Sequence, residues 1–301
     1  MSFLVRSRAA SPSQGRQRGT SLFVWPLIAV MAATTLLPVG YAFVLSFFDW
    51  NWGNRFNFIG FGNYVSVIQD AGFWASAART LAFATVAVSV EVSLGLALAV
   101  LTSRMSRGIG WIRTALMLPM MVSGIVVALV WKLMLDPTLG VVPWALNGLG
   151  TGTIDLLGNQ DTALLTVVGL DAWWQTGFVF IVLSASLSAL PSEPFEAAAV
   201  DGANRVQIFL HITMPMLLPS VLTIAAIRLV DCLKVFALVY GTTGGGPQNA
   251  TEVTQILVYR SAFKEFAMSQ SMTMMLVYSA VVAAILILAY LLFSKASRVE
   301  R

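Results

Sequence analysis

The sequence predicts an all-α polytopic membrane protein: six transmembrane helices with a cytoplasmic helix-turn-helix loop between the fourth and fifth. Three observations carry that prediction. Hydrophobic residues fill 57% of the 301 positions and charged residues 11%, and the mean hydropathy of +0.80 lies outside the range of water-soluble domains. Six apolar runs are each long enough to cross a hydrocarbon core. The basic residues behind the formal charge of +4 and the pI near 9.5 fall in short clusters at the ends of those runs. That placement is an orientation signal and argues against a nucleic-acid partner.

Taken in order, residues 1–20 form a basic tail carrying Arg6, Arg8, Arg16 and Arg18 with no acid, too polar to bury a core and expected to be disordered. The first run, Leu22 to Phe48, is too long for the core of a signal peptide and reads as a retained span. Asp49 to Gly72 is rich in aromatic residues, Asn and Gly, and suits an ordered outer loop with Trp50, Trp52 and Tyr64 among lipid headgroups. The second run is Phe73 to Leu101 and the third, containing Pro119, is Ala115 to Leu135. Asp136 to Thr162 holds three acids and no Lys or Arg, and so belongs outside. The fourth run, Ala163 to Leu190, enters a polar segment that the fifth, Met216 to Tyr240, leaves. A second outer segment, Gly241 to Gln270, precedes the last run, Ser271 to Phe293. The membrane domain is thus 21–294, its coupling loop 191–215, and 295–301 a short tail.

Six spans put both termini on one side. Eleven basic residues then lie on that side, in the two tails, the second loop and the 191–215 loop, against Arg55, Arg260 and Lys264 opposite. The richer side is cytoplasmic.

The loop itself, PSEPFEAAAVDGANRVQIFLHITMPMLLP over Pro191 to Pro219, reads as two short helices. Ser192 is placed to cap a first helix that tolerates Pro194 in its first turn and holds Glu193 and Glu196 at its positive end. Ala197, Ala198 and Ala199 leave a face almost without side chains. Gly202 suits the left-handed residue that ends such a helix, and Ala203 to Leu210 then form a second helix before Pro215.

This segment resembles the cytoplasmic EAA signature of permease subunits of ABC importers. Glu196, Ala197, Ala198, Gly202, Ile212 and Pro215 stand at the matching positions, and Met214 replaces the usual Leu. A second phrase, TTGGGPQNATE, resembles a segment of carbohydrate-importer permeases, and FNFIGFGNYVSVI resembles their extracytoplasmic stretch more weakly. The chain is identified as similar to the maltose-type permease subunits. The resemblance implies a second permease subunit, two ATP-binding subunits that carry ATP and Mg, and an extracytoplasmic solute-binding protein. It also implies that the six matched residues couple to an ATPase and that this chain has no catalytic residue and no cofactor of its own.

Other residues leave alternatives open. Gly241 to Gly246 has the outline of a phosphate loop, but Pro247 and Gln248 follow where Lys and Ser or Thr are required, which excludes ATP binding here. Cys232 and His211 each stand alone among their type, so no disulfide and no multi-Cys or multi-His metal site has material. Glu91, Asp171, Arg228 and Asp231 are ionisable residues inside apolar runs, where each costs roughly 2.5–3.5 kcal/mol on insertion scales. Arg228 and Asp231, three apart, make either an interior ion pair or, with Asp171, a polar lining for a solute path. Trp173 and Trp174 either stack on a sugar ring or anchor the fourth span at the interface. Gly95, Ala97 and Ala99 suit close helix packing. A secondary transporter driven by an ion gradient is the alternative function, against which no internal repeat is found. A purely structural membrane protein is a third reading.

Overall fold

The computed structural model describes residues 15–53, 56–103, 105, 107–150 and 154–299, with side-chain detail between 24 and 287. Residues 1–14 of the basic tail, Arg55, Arg104 and the last two residues lie outside it. The described residues are all-α apart from one antiparallel pair of two-residue strands, β1 (Phe48–Asp49) and β2 (Asn57–Phe58). Its helices are α1 (Gly15–Leu45), α2 (Gly62–Gln69), α3 (Ala71–Thr102), α4 (Ile109–Met117), α5 (Gly124–Met134), α6 (Val141–Gly148), α7 (Gln160–Ser188), α8 (Glu193–Val200), α9 (Arg205–Ile208), α10 (Met214–Cys232), α11 (Ala237–Thr242), α12 (Thr254–Phe263) and α13 (Met268–Val299). Among the described residues five helical stretches are long and apolar enough to cross a membrane, or six if one bent pair counts as a single span.

At the centre stands α7, with half of its most apolar stretch buried. It packs along α3, where Gly95 allows the approach: a Cβ there would lie 2.6 Å from Val179 Cγ1. Ala99 is buried at the same seam, whereas Ala97 is exposed on this chain. One apolar cluster joins these two helices to α10 through Phe180, Leu183, Leu217 and Ile224, and another joins them to α5 and α11 through Phe83, Val127, Val167 and Val239. Lipid tails are as apolar as these side chains, so the gain is close packing more than water exclusion. On the flank α1 packs against α13 and leaves Trp25, Leu36 and Leu37 exposed.

Three expectations are corrected. First, Ala115 to Leu135 is not one straight span: α4 runs through a short 3-10 turn (Pro119–Met121) and breaks, and α5 leaves at 97°. Pro119 starts that turn without an N–H to lose, and the residues after it turn extended at Val122 and Ser123. Second, the run Met216 to Tyr240 is interrupted at Leu233–Phe236, between α10 and α11. Both breaks free carbonyls that lipid could not satisfy, and each finds an aromatic donor: Trp174 Nε1 donates to Val122 O at 3.2 Å, and Tyr278 Oη donates to Leu233 O at 2.8 Å. Third, the helix expected over Ala203 to Leu210 is shorter, Arg205–Ile208, and Pro215 does not end it. A π-turn (Phe209–Thr213) carries it into α10, and Pro215, which brings no N–H, follows directly after that widened turn. Arg205–Cys232 is therefore one continuous helical stretch.

The segments expected to be outer loops are also structured. β1 and β2 close the loop after α1, where Trp50 stacks on Phe56 with centroids 5.4 Å apart. Beyond α11, Glu252 is buried and paired with Arg260 of α12, and burial raises its carboxyl above the ordinary value while Arg260 and Arg79 oppose the shift.

Candidate functional site

Three helices each contribute one charged group to a single buried cluster. Glu91 comes from α3, Asp171 from α7 and Arg228 from α10, with side chains 0%, 6% and 4% exposed. Arg228 Nε donates to Glu91 Oε2 at 2.6 Å, and its Nη2 donates to Glu91 Oε1 and to Asp171 Oδ2, both at 3.0 Å. This two-pronged geometry is the strong form of an Arg–carboxylate pair. Asp231, the partner expected from the spacing, is a weaker neighbour: its Oδ2 lies 3.6 Å from Nη1, it is half exposed, and it faces Lys234 at 3.5 Å. Spacing along one helix reveals only neighbours on that helix, so the sequence could mark Glu91 as costly without showing whom it meets.

Cys232 completes the cluster, buried, with its sulfur 3.4 Å from Arg228 Nη2. Glu91, Asp171 and Cys232 place possible ligand atoms within 4.8 Å of one another. The guanidinium already lies among them and bonds to all three, so the chain supplies its own cation where a metal would sit.

A cavity of about 560 Å³ opens beside this cluster, at the two helix breaks. Asp171, Arg228 and Asp231 line it together with Trp174, Gln175 and Phe236. Trp173 is not among its walls. It is half exposed and packs edge-on against Trp131, centroids 5.2 Å apart, because adjacent residues on α7 point about 100° apart. The cavity thus offers carboxylate acceptors, amide and ammonium donors, and aromatic faces, in a volume suited to a small polar solute with an apolar ring face.

The second candidate site is the knuckle formed by α8 and α9. Gly202 turns the chain with φ +74°, the left-handed value expected of it. Glu196 and Ala197 are exposed and Ala198 is buried, so the alanines do not form one open face. Gly202 and Pro215 are exposed and Ile212 half-buried. Ser192 stands at the helix start but makes no side-chain cap. The cap of this region belongs to Asn204, which accepts from the N–H of Val206 and Gln207 while Gln207 Oε1 accepts from the Asn204 N–H. The spacing Asn-x-x-Gln carries that signal. His211 is exposed, with Nδ1 3.0 Å from Gln207 O. A cavity of about 430 Å³ behind the knuckle is lined by Leu101, Ser103, Leu187, Phe195 and Arg205, which brings the ends of α3 and α7 to the knuckle's side of the bundle.

Against known proteins, the family described as "Binding-protein-dependent transport system inner membrane component" matches residues 91–299. The "Probable ABC transporter permease protein y4oQ" of Sinorhizobium fredii is 33% identical over 87% of this chain and 86% of its own length. The "Trehalose/maltose transport system permease protein MalF" of Thermococcus litoralis is 34% identical over 79% of this chain and 81% of its own. Among solved structures, a chain of a bacterial ABC transporter involved in the import of the acidic polysaccharide alginate superposes with a TM-score of 0.78 at 22% identity, covering 93% of this chain and 96% of that one. That likeness is one of fold.

Proposed function

The chain belongs to the family of binding-protein-dependent transport system inner membrane components, and from that premise we propose that it moves a sugar or sugar-like solute into the cytoplasm through the cavity beside Arg228. Permease subunits of this family are not catalytic; ATP is hydrolysed on separate ATPase subunits. The partners of this chain are then a second permease subunit, two ATP-binding subunits and an extracytoplasmic solute-binding protein. Relatives named for trehalose and maltose support a sugar-like solute.

One observation carries the mechanism: Arg205–Cys232 is a single helical stretch of 28 residues, about 42 Å long, with the knuckle at one end and the cavity at the other. Glu196, Ala197, Ala198, Gly202, Ile212 and Pro215 form the ATPase-coupling element at the near end. Asp171, Arg228 and Asp231 act in the solute path at the far end, and Trp174 takes the stacking role that Trp173 is turned away from. Displacing the knuckle displaces α10, and α10 holds α3 and α7 through Arg228, so closure of the ATPases is transmitted to three spans together. ATP drives this only by binding the closed ATPase state more tightly than the open one. The arginines at the knuckle's end, Arg107 and Arg205 among them, support a cytoplasmic position for it, with both termini on that side.

The test is the importer reconstituted in proteoliposomes with Gly202→Val. A β-branched residue at a left-handed position is strained by roughly 1–2 kcal/mol, enough to reshape the knuckle without unfolding the bundle. ATP hydrolysis continues while solute uptake falls. Uptake by the unaltered protein that ignored ATP and followed an ion gradient would replace this reading with a secondary transporter.

A further inference from the structure

Asp171, Arg228, Asp231 and Lys234 are the charged residues of the cavity wall, and each cation among them already faces a carboxylate. Arg228 commits Nε and Nη2 to Glu91 and Asp171 at 2.6–3.0 Å, with Cys232 Sγ 3.4 Å from the same Nη2. That leaves Nη1, which faces Asp231 Oδ2 at 3.6 Å, just beyond hydrogen-bond reach. Lys234 Nζ lies 3.5 Å from Asp231 Oδ1. Glu91, Asp171 and Asp231 thus stand against Arg228 and Lys234, and among the described residues the wall holds no cation free for a solute. A purely structural ion network would be enclosed. This one opens on the cavity at Asp231 and Lys234, whose side chains are 48% and 61% exposed.

The chemistry of the gap between Nη1 and Asp231 separates solutes by charge. A hydroxyl accepts a hydrogen bond while donating another, so it satisfies the guanidinium and the carboxylate together. A carboxylate or phosphate group only accepts: it meets Nη1 but sets a further negative charge against Asp231. Lys234 cannot turn to the anion without leaving Asp231 unpaired. Like charges about 4–5 Å apart near a protein surface repel enough for a hundredfold loss of affinity, and solvent around half-exposed Asp231 reduces this to about tenfold or more. An ammonium group on the solute suffers no such penalty, because Asp231 attracts it.

Resting on the reading of the cavity as a sugar path, we propose that this wall admits neutral and amino sugars and excludes acidic ones such as uronates and sugar phosphates, with Asp231 the residue that decides. Arg228, although the most strongly basic group in the cavity, is not an anion receptor, because its own carboxylates occupy it.

The experiment is saturation-transfer NMR on the complete importer in nanodiscs, without the solute-binding protein, so that only the path selects. Trehalose and maltose are each used in three forms, with the ordinary C6 hydroxyl, with a C6 carboxylate and with a C6 ammonium group. The carboxylate forms bind about tenfold or more weakly than the hydroxyl forms, and the ammonium forms bind at least as tightly as the hydroxyl forms. Asp231→Asn raises the ratio of carboxylate-form to hydroxyl-form affinity about fivefold to tenfold, and Lys234→Gln lowers it about threefold. Both side chains are about half exposed or more, so neither variant endangers the fold. Carboxylate forms that bind as well as the hydroxyl forms overturn the exclusion and leave the sugar path intact. An ammonium form as weak as the carboxylate form assigns the loss to size and likewise overturns it. A ratio unmoved by Asp231→Asn overturns the role given to that residue. Failure of the unaltered protein to bind either neutral sugar overturns both readings.

Discussion

Replacing Arg228 by Met is the sharpest perturbation of the buried cluster, because it removes the cation paired with both Glu91 and Asp171. Removing one partner of a buried pair costs roughly 3–5 kcal/mol, since the remaining charge is left in a low-dielectric interior. Here two carboxylates are left, with ligand atoms within 4.8 Å of each other, so the upper half of that range applies. Glu91→Gln is milder, because it leaves a balanced Arg228–Asp171 pair joined at 3.0 Å. Asp231→Asn costs about 0–1 kcal/mol, the usual worth of a half-exposed pair at 3.6 Å. Combining Arg228→Met with Glu91→Gln and Asp171→Asn removes all the charge and recovers most of the loss, since a buried ion pair is seldom more stable than a well-packed neutral replacement. The assay is thermal unfolding of the purified complex in nanodiscs, followed by tryptophan fluorescence and by recovery on size exclusion after heating. An Arg228→Met protein melting with the unaltered one refutes the three-helix clamp. So does an Asp231→Asn protein as unstable as Glu91→Gln, which would return Arg228 to the same-helix pairing that spacing suggests.

Tyr278→Phe tests how the break after α10 is tolerated: it strips the only side-chain donor shown to Leu233 O and costs about 1–3 kcal/mol in the same melting assay. A melting point unchanged within error would mean that the carbonyl finds another donor. Glu252 gives a pH test with a defined sign. Its folded pKa is raised above the ordinary 4.5, so the folded state holds the proton more tightly, and its contribution is complete below 4.5 and is lost as pH rises through the folded value. Hydrogen-exchange protection of the 243–265 region, corrected for the intrinsic rise of exchange with pH, falls across that window, and Glu252→Gln abolishes the fall; protection that rises instead would show that Arg260 outweighs burial.

Hydropathy located the spans but not their interruptions, and the reason is physical. A run of apolar residues satisfies the bilayer whether or not its backbone is continuous, so Met216 to Tyr240 and Ala115 to Leu135 look uniform although each is broken. Whether a break is tolerated depends on donors elsewhere in the chain, Tyr278 for Leu233 and Trp174 for Val122, and no local pattern announces them. The knuckle was legible for the opposite reason. Gly202 at positive φ and the acidic first turn of α8 are decided by neighbours in sequence, whereas the cap falls to Asn204 and Gln207 and not to Ser192, where it was expected. Glu91 lies between these cases, since its cost was visible in sequence and its partner 137 positions away was not.

The two breaks also explain why the cavity lies where it does. Non-helical backbone at membrane depth must be covered by protein or face a polar space, so two interruptions beside each other leave room that side chains do not fill. Asp171 and Arg228 reach that room from intact helices while Phe236 reaches it from the second break itself. A shift of α10 therefore moves the edge of the break and Arg228 together. On the proposed reading of the cavity, the solute meets a wall whose polar groups and backbone change in one step, driven from the far end of the same helix.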